Sequence, residues 1–428
     1  MRLYLDSVGC RLNQAEIEEL GRQFRMAGHA LVGEPSKAEI MVLNTCAVTT
    51  KAAADSRWRV RHAHRSNPSL RIVLTGCWGT LEVNQAAALP GVWRVIPNPD
   101  KMRLAQDVLA ASLDLPPSPA EAQHPLAGVR GRTRAHIGIQ EGCDQHCTFC
   151  LTRVARGPLR SEPVEHVIER VQRVVEAGAR EAVFTGVQLG AYGRDLPGSV
   201  DLATLLKEVL ERTELPRLRL SSLEPWDVTG DLLALWRDTR ICRHLHLPLQ
   251  SGSAATLRRM ARPIDPQHFQ ALVSRLRAAI PGLAITTDLM VGFPGESEAE
   301  FQESLEFVEE IGFTGAHVFT FSARPGTAAA RLPGHVPGSV MKERSQRVRQ
   351  VIARSSRAYC NTIIGSTLAV LWESAVPRED GEWEHIGHAD NYLWVGASAR
   401  QNLRNQVSAV RAEYLAGRGL RGCILSSG

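Results

Sequence analysis

The sequence lacks any long hydrophobic run. Across its 428 residues no stretch of about 18 consecutive apolar residues occurs, which argues against a membrane-spanning helix and against a membrane partner. The first ten residues, Met-Arg-Leu-Tyr-Leu-Asp-Ser-Val-Gly-Cys, also lack the apolar core of a secretory signal. We therefore expect a cytoplasmic protein whose cysteines act as ligands or catalysts rather than as disulfide partners.

The chain also has little net charge, because its formal charge of +5 is small for its length. Any binding to nucleic acid must then come from local patches. Two basic segments, at 51–71 and 339–360, could neutralise phosphates, although a solvated charged face is the alternative for each. Their basic residues are Lys51, Arg57, Arg59, Arg61, Arg65 and Arg71 in the first, and Lys342, Arg344, Arg347, Arg349, Arg354 and Arg357 in the second.

Three of the nine cysteines, Cys143, Cys147 and Cys150, lie in one C-x3-C-x2-C run. Soft thiolates favour iron–sulfur clusters, copper(I) or zinc. A four-iron cluster usually takes four cysteines, so three would leave one iron open to a small molecule. A structural zinc site would need a fourth ligand, for which His146 is the nearest candidate. We call these three residues the cysteine triplet.

The N-terminal segment, residues 1–115, alternates strand-like and helical patterns and predicts a parallel α/β domain. Cys10, Cys46 and Cys77 each follow one of its strand-like runs, and Cys10 and Cys77 each follow a glycine. Ligands of open α/β sheets lie beyond the carboxyl ends of the strands, so these thiols could converge on one site. Three unrelated buried cysteines are the alternative. We call them the dispersed trio.

A proline-rich segment at 116–132 reads as a linker, and six further βα units follow it in residues 133–360. Six units favour a partial barrel over a full eight-fold one, with the triplet at the loop end where barrel chemistry occurs. Residues 361–428 are rich in strand-forming runs and fit a small β-barrel. The fold class is therefore α/β with a C-terminal β-barrel. Cys242, Cys360 and Cys423 have no ligand spacing, and we expect them to fill cores.

The run Glu-Gly-Cys-Asp-Gln-His-Cys-Thr-Phe-Cys at 141–150 resembles the radical S-adenosylmethionine (SAM) signature. Ser-Val-Gly-Cys-Arg-Leu-Asn-Gln, Asn-Thr-Cys-Ala-Val-Thr and Thr-Gly-Cys resemble the N-terminal domain of the methylthiotransferases, and the C-terminal segment is similar to their RNA-binding TRAM domain. Within that family, Ala-Arg-Gly-Pro at 155–158 and Thr-Gly-Val-Gln-Leu-Gly-Ala-Tyr-Gly at 185–193 look most like the branch that acts on threonylcarbamoyladenosine in tRNA. The other branches act on isopentenyl-adenosine in tRNA or on an aspartate of a ribosomal protein.

The resemblance implies two [4Fe-4S] clusters and SAM as cofactors. The triplet would hold the cluster that cleaves SAM to a 5′-deoxyadenosyl radical, and the dispersed trio would hold a second cluster that carries or donates sulfur. The product would be a methylthio group at carbon 2 of the modified adenine beside the anticodon. The implied partners are the tRNA anticodon loop, an electron donor of flavodoxin or ferredoxin type, and a sulfur source. The alternative from another class is a zinc-stabilised RNA-binding protein without catalysis.

Polar side chains at the ends of the predicted barrel strands are candidates to contact SAM, although ordinary loop residues are the alternative for each. Phe149 could pack near the adenine, and Trp372, Trp383, Tyr392 or Trp394 of the C-terminal segment could stack on RNA bases. The candidate contacts to SAM are Phe149, Gln188, Ser222, Glu224, Gln250 and Asp288.

Overall fold

The computed structural model describes residues 1–111 and 133–425 of the chain. The predicted linker at 116–132 and the boundary at residue 115 lie outside these residues. In the described part, no helix is both long enough and apolar enough to cross a bilayer.

The N-terminal segment forms one parallel sheet of five strands in the order β2-β1-β3-β4-β5. In this doubly wound order, ligands bind where the strand order reverses, which here is between β1 and β3. The strands are β1 (Arg2–Ser7), β2 (Ala30–Leu31), β3 (Ile40–Thr45), β4 (Arg71–Thr75) and β5 (Val92–Val95). The helices are α1 (Arg11–Met26), α2 (Thr50–Ser66), α3 (Gly76–Leu81), α4 (Val83–Ala87) and α5 (Leu104–Ala110).

The central segment is a partial barrel of six parallel strands, as the sequence predicts. Two three-stranded sheets, β10-β9-β6 and β11-β12-β13, are joined by a bridge between Ser222 and His246. Its strands are β6 (Arg134–Gly138), β9 (Glu181–Thr185), β10 (Leu218–Leu220), β11 (His244–His246), β12 (Ala284–Val291) and β13 (Gly315–Thr320), and a short ribbon pairs β7 (Gln140–Glu141) with β8 (Arg160–Ser161).

Helices follow the strands of the partial barrel and cover its outer face, because their apolar residues recur at spacings of three and four. In α7, for example, Val167, Ile168, Val171 and Val174 are all buried. The helices are α6 (Thr152–Arg156), α7 (Val164–Glu176), α8 (Leu202–Arg212), α9 (Gly230–Ala234), α10 (Ala254–Arg259), α11 (Pro266–Ala279), α12 (Glu298–Ile311) and α13 (Gly338–Ile363).

The C-terminal segment closes into a five-stranded barrel in the order β14-β15-β16-β18-β17, with β17 returning to pair with β14. The strands are β14 (Thr367–Pro377), β15 (Trp383–Ala389), β16 (Trp394–Ala399), β17 (Val407–Ala416) and β18 (Gly419–Ile424). Trp372 is fully buried in this core, so the suggestion that it stacks on RNA is wrong. Cys242 and Cys360 are buried as expected, but Cys423 is exposed and does not fill a core.

The C-terminal barrel packs against the amino ends of the central strands. Arg219 of β10 donates to the backbone oxygens of Ala389 (3.2 Å) and Asp390 (3.0 Å). Its Nε also donates to Glu181, the first residue of β9, over 2.7 Å, and both side chains are fully buried. Tyr392 lies in the same junction, where Arg11 donates to its hydroxyl over 3.0 Å. This barrel is therefore at the end of the strands opposite to the cysteine triplet.

Candidate active site

The cysteine triplet lies in the loop between β7 and α6, at the carboxyl end of the first barrel strand. Gly142 precedes it with a φ of +71°, and a Cβ atom there would lie 1.7 Å from the carbonyl oxygen of Pro158. Only glycine allows that close approach. Two backbone amides donate to the sulfurs, from Gln145 to Cys143 over 3.4 Å and from Thr152 to Cys150 over 3.3 Å.

Three polar side chains surround the triplet. The amide oxygen of Gln188 accepts from the Cys143 thiol over 3.4 Å. Arg262 has an almost fully buried side chain, holds both oxygens of Glu224 over 3.1 and 2.6 Å, and reaches within 4.0 Å of the Cys147 sulfur. Burial raises the pKa of the Cys147 thiol, and the Arg262 guanidinium opposes that rise. Burial likewise raises the pKa of Cys143 to about 11.

The dispersed trio is assembled by three neighbouring strands. Cys10 follows β1, Cys46 follows β3 and Cys77 follows β4, so the three thiols meet at the carboxyl edge of the sheet beside its switch point. Electrostatic interaction between the thiols contributes to the raised pKa of Cys46, to about 12, although burial is its largest cause. The predicted convergence of this trio therefore has a structural basis in the strand order.

Glycine makes this convergence possible at two positions. Gly9 has a φ of +99°, and a Cβ atom on it would lie 2.6 Å from the sulfur of Cys46. Gly76 has a φ of +91°, and its Cβ atom would lie 2.3 Å from the backbone oxygen of Thr45. The backbone therefore turns back over the neighbouring strand end, as expected for glycine beside a crowded site.

Hydrogen bonds to sulfur also occur in the dispersed trio. The amide of Val48 donates to Cys46 over 3.5 Å, and Asn98 Nδ2 lies 3.8 Å from Cys77. The Cys10 thiol lies 3.7 Å from Asn13 Oδ1, which also accepts from Arg156 over 2.6 Å. The Val48 amide and the Asn98 side chain are therefore the donors to sulfur at this site, and hydrogen bonds of this kind tune the sulfur ligands of iron–sulfur clusters.

Arg156 lies beside the dispersed trio and joins the N-terminal domain to the central domain. Its side chain is 1% exposed and contacts Glu16 of the N-terminal domain over 2.8 Å and Glu141 of the central domain over 2.9 Å. Burial favours the neutral form of Glu16, but Arg156 and Lys101 hold its pKa down at about 2. The same guanidinium opposes the rise that burial causes in the pKa of Cys10. Arg156 lies six residues after Cys150, so one segment serves both sites.

A cavity of about 180 Å³ lies between the two trios, and it is lined by Cys77 of one and Cys150 of the other. Three of the predicted SAM contacts, Phe149, Gln250 and Asp288, also line it. Asp288 Oδ1 lies 3.3 Å from Nε2 of His246. The remaining wall is largely apolar and includes Leu81, Met290, Phe319 and Phe321.

The other predicted contacts occupy different places. Gln188 and Glu224 are near the triplet, as described above. Ser222 is half-buried and lies beyond the end of β10, where its backbone pairs with His246. All of these SAM contacts stay predictions. Arg156, Arg262 and Asn98 are polar neighbours of the cysteines that the sequence interpretation did not single out.

The chain's residues fit iron–sulfur groups better than one zinc ion. His146, the candidate fourth zinc ligand, is exposed and its Nδ1 lies 2.7 Å from the guanidinium of Arg153. No three His, Cys, Asp or Glu side chains among the described residues are arranged to hold a single metal ion as they stand. Three thiols at each site, amide donors to the sulfurs and a buried arginine beside each site suit anionic clusters with thiolate ligands.

The two predicted basic segments differ in the structure. In α13, four of the six basic side chains contact neighbouring groups, so this helix is not the free basic patch that the sequence suggests. Arg344 and Arg347 pair with Glu298, Arg354 pairs with Glu309 over 2.7 Å, and Arg349 donates to the backbone oxygen of Val318. In α2, by contrast, Arg59 holds the acid Asp55, whereas Lys51, Arg57, Arg61 and Arg65 form no ion pair with any described residue.

Comparison with known proteins agrees with this geometry. Residues 137–308 match the "Radical SAM superfamily" model and residues 2–96 match "Uncharacterized protein family UPF0004". The threonylcarbamoyladenosine tRNA methylthiotransferase MtaB of Bacillus subtilis is 34% identical over 95% of this chain and 92% of its own length. MtaB of Thermotoga maritima is 37% identical over 86% of each chain. A tRNA-2-methylthio-N(6)-dimethylallyladenosine synthase of Cereibacter sphaeroides is 31% identical over 97% of this chain and 98% of its own length.

Among solved structures, the radical SAM methyltransferase TsrM of Kitasatospora setae has a TM-score of 0.58 at 13% identity, covering 77% of this chain and 75% of its own. That likeness concerns the fold. The fold and the triplet define a radical SAM enzyme, which uses a [4Fe-4S] cluster and SAM. Together with the relatives, they show that the chain belongs to the radical SAM methylthiotransferases, in the MtaB-like group.

Proposed function

We propose that this enzyme inserts a methylthio group at carbon 2 of N6-threonylcarbamoyladenosine beside the anticodon of tRNA. It uses two [4Fe-4S] clusters, one held by Cys143, Cys147 and Cys150 and the other by Cys10, Cys46 and Cys77. The observation that carries this proposal is the cavity that one thiol of each trio lines, at Cys150 and Cys77. A target base in this cavity would lie between both clusters.

The clusters and SAM, when bound, supply the radical that removes hydrogen from carbon 2, and also the sulfur and the methyl group. The chain's own residues position these groups and limit access of water. Phe149, Met290, Phe319 and Phe321 line the cavity with apolar surface, which would keep water from a radical. Gln250 and Asp288 offer hydrogen-bonding groups in the same wall.

The remaining candidate residues are assigned by place. Gln188 and the Glu224–Arg262 pair would orient SAM beside the triplet. Gln188 contacts the sulfur of Cys143, and Arg262, which holds Glu224, reaches the sulfur of Cys147. Ser222, at the end of β10, would face the ribose or the amino acid part of the same cofactor. Residues 1–115 form the domain that holds the second cluster, and residues 133–360 form the domain that carries the radical chemistry. Residues 361–428 form an RNA-binding, TRAM-like barrel. The enzyme acts in the cytoplasm.

The substrate is tested with the anaerobically reconstituted full-length enzyme, SAM and a flavodoxin- or ferredoxin-type reductant. Three acceptors are compared: tRNA with threonylcarbamoyladenosine, tRNA with isopentenyl-adenosine, and the ribosomal-protein aspartate. We expect nucleoside mass spectrometry to find methylthio product with the first tRNA, and the sulfur source is then varied with that acceptor. Product with the second tRNA or with the aspartate alone would instead assign the enzyme to that branch.

The same preparation separates catalysis from a purely structural role. We expect brown, oxygen-sensitive protein with about eight irons per chain, four for each cluster. A colourless protein with about one or two zinc ions and no methylthio product would contradict the proposal and favour an RNA-binding protein without catalysis.

A further inference from the structure

The outer face of α2 carries an exposed pair of stacked aromatic rings. Trp58 is 55% exposed, and the centre of its ring lies 4.9 Å from the centre of the His62 ring, with the two ring planes at 7° to each other. Tryptophan is highly buried on average, so a tryptophan that is more than half exposed is uncommon. Flat aromatic faces are the surfaces on which proteins stack single-stranded bases.

Cations flank this pair on the same face. Lys51, Arg61 and Arg65 are exposed, and none pairs with an acid in the described part of the chain. The only acid of the helix, Asp55, is held by Arg59 over 3.3 Å. The face therefore offers free positive charge beside a stacking surface, which is the combination that binds single-stranded nucleic acid.

This face begins at the cavity between the trios. Val48 and Thr49 line the cavity immediately before α2, and Thr50 lies 2.9 Å from Ser322 on the opposite rim. Trp58 is eight residues further along the helix, or about 12 Å at 1.5 Å per residue. That distance is about three or four stacked nucleotides at 3.4 Å each, so the pair lies within reach of a strand whose base occupies the cavity.

Arg324 provides a separate observation at the cavity mouth. It lines the cavity and donates to Thr50 over 3.3 Å, while its Nε is buried and has no hydrogen-bond partner. No acid pairs with it among the residues that the structure describes. A guanidinium left without an anion at this place can take a phosphate, for which its planar fork is well suited.

We propose that Arg324, Lys51, Trp58, Arg61, His62 and Arg65 form a track that holds the single strand of the tRNA loop on one side of the target nucleotide. A base stacks on the Trp58–His62 pair, and the cations bind phosphates from the cavity mouth outwards. This proposal rests on the proposed function, because it takes tRNA as the substrate. In this proposal α2 binds the RNA close to the reaction site, whereas the C-terminal barrel lies at the opposite end of the central strands.

The test measures binding of a fluorescent anticodon stem-loop to the reconstituted full-length enzyme by anisotropy over a range of salt concentrations. Trp58→Ala should weaken binding by about 5- to 150-fold, the range of one base–aromatic stack, and Trp58→Tyr should stay within about threefold. Arg61→Gln should lower the slope of log K against log salt by about 0.7, the value for one phosphate of a single strand. The matched control is Arg354→Gln in α13, whose guanidinium already pairs with Glu309 and whose loss should leave the slope unchanged.

Stem-loops with and without the threonylcarbamoyl group identify what Arg324 holds. If the anion is a phosphate, Arg324→Gln should weaken the binding of both stem-loops equally. If the variant weakens only the binding of the modified stem-loop, Arg324 holds the threonyl carboxylate instead and is not part of the track. If Trp58→Ala binds as wild type, the stacking role is overturned. Iron content and the unfolding midpoint report whether each variant is folded. If Trp58→Ala does not fold, the salt dependence of binding by Arg61→Gln tests the track instead, and a slope equal to that of the wild type would overturn it. Failure of the wild-type enzyme to bind or modify any tRNA would instead contradict the proposed function.

Discussion

The cysteine triplet is held by one loop, whereas the dispersed trio is held by the ends of three separate strands. The triplet depends on local geometry, with Gly142 before it and amides of Gln145 and Thr152 on its sulfurs. The dispersed trio depends on the whole sheet, because Cys10, Cys46 and Cys77 meet only when β1, β3 and β4 lie side by side. We therefore expect a change in the loop to remove only the triplet's cluster, and a change in the sheet to remove only the cluster of the dispersed trio.

The largest difference between the two sites should come from the Gly9→Ala variant. The added Cβ atom would meet the Cys46 sulfur at 2.6 Å, and a φ of +99° disfavours alanine as well. We expect the iron content to fall from about eight to about four per chain, with cleavage of SAM retained at the triplet. Gly28→Ala is the matched control, since Gly28 has a φ of +81° but no atom within 4 Å of its Cβ position. Equal iron content in the two variants would contradict the role of Gly9.

A second pair of variants compares the buried arginine beside each site. Arg262→Met leaves Glu224 without the arginine that pairs with it and should cost about 3–5 kcal/mol of unfolding free energy. Arg156→Met should cost less, because Glu16 keeps its pair with Lys101 and Glu141 keeps its pair with Arg160. Removing a positive charge should also lower the reduction potential of the adjacent cluster alone. Redox titration followed by electron paramagnetic resonance measures both clusters in each variant.

Lysine at either position keeps the charge and should restore most of the potential, although not the two-pronged hydrogen bonding of arginine. If Arg156→Met moved the potential of the triplet's cluster as much as that of the other cluster, the two sites would not be electrostatically separate.

The smallest effect should come from Thr152→Val. The Thr152 hydroxyl lies 3.1 Å from the Cys150 sulfur, and valine removes this contact while keeping the backbone amide that also reaches the sulfur. One neutral hydrogen bond contributes about 1 kcal/mol net, so we expect a small downward shift in the potential of the triplet's cluster and none in the other. A shift larger than that of Arg262→Met would mean that the hydroxyl, not the guanidinium, is the main tuning group.

Much of the fold was predictable because its signals are local or periodic. Strand-like runs followed by helical patterns predicted the parallel sheet and the six-stranded partial barrel, and strand order then brings the thiols of Cys10, Cys46 and Cys77 to one edge. The glycines before Cys10 and Cys77 were visible as a pattern, and both adopt a positive φ.

What the sequence did not predict depends on distant partners. The basic character of α13 suggested phosphate binding, but its partners Glu298 and Glu309 belong to α12, about 45 residues earlier. Trp372 looked available for stacking until the closed barrel buried it. Arg156 and Arg262 were missed for the same reason, since their carboxylate partners Glu16 and Glu224 lie 140 and 38 residues away.

The measurement that tests the account most directly compares Cys143→Ala with Cys10→Ala in the reconstituted enzyme. Both 5′-deoxyadenosine and the methylthio nucleoside are quantified in the same reaction with threonylcarbamoyladenosine tRNA. We predict that Cys143→Ala forms neither, whereas Cys10→Ala still forms 5′-deoxyadenosine but no methylthio product. Loss of 5′-deoxyadenosine in a Cys10→Ala protein that keeps about four irons would contradict two sites with separate roles.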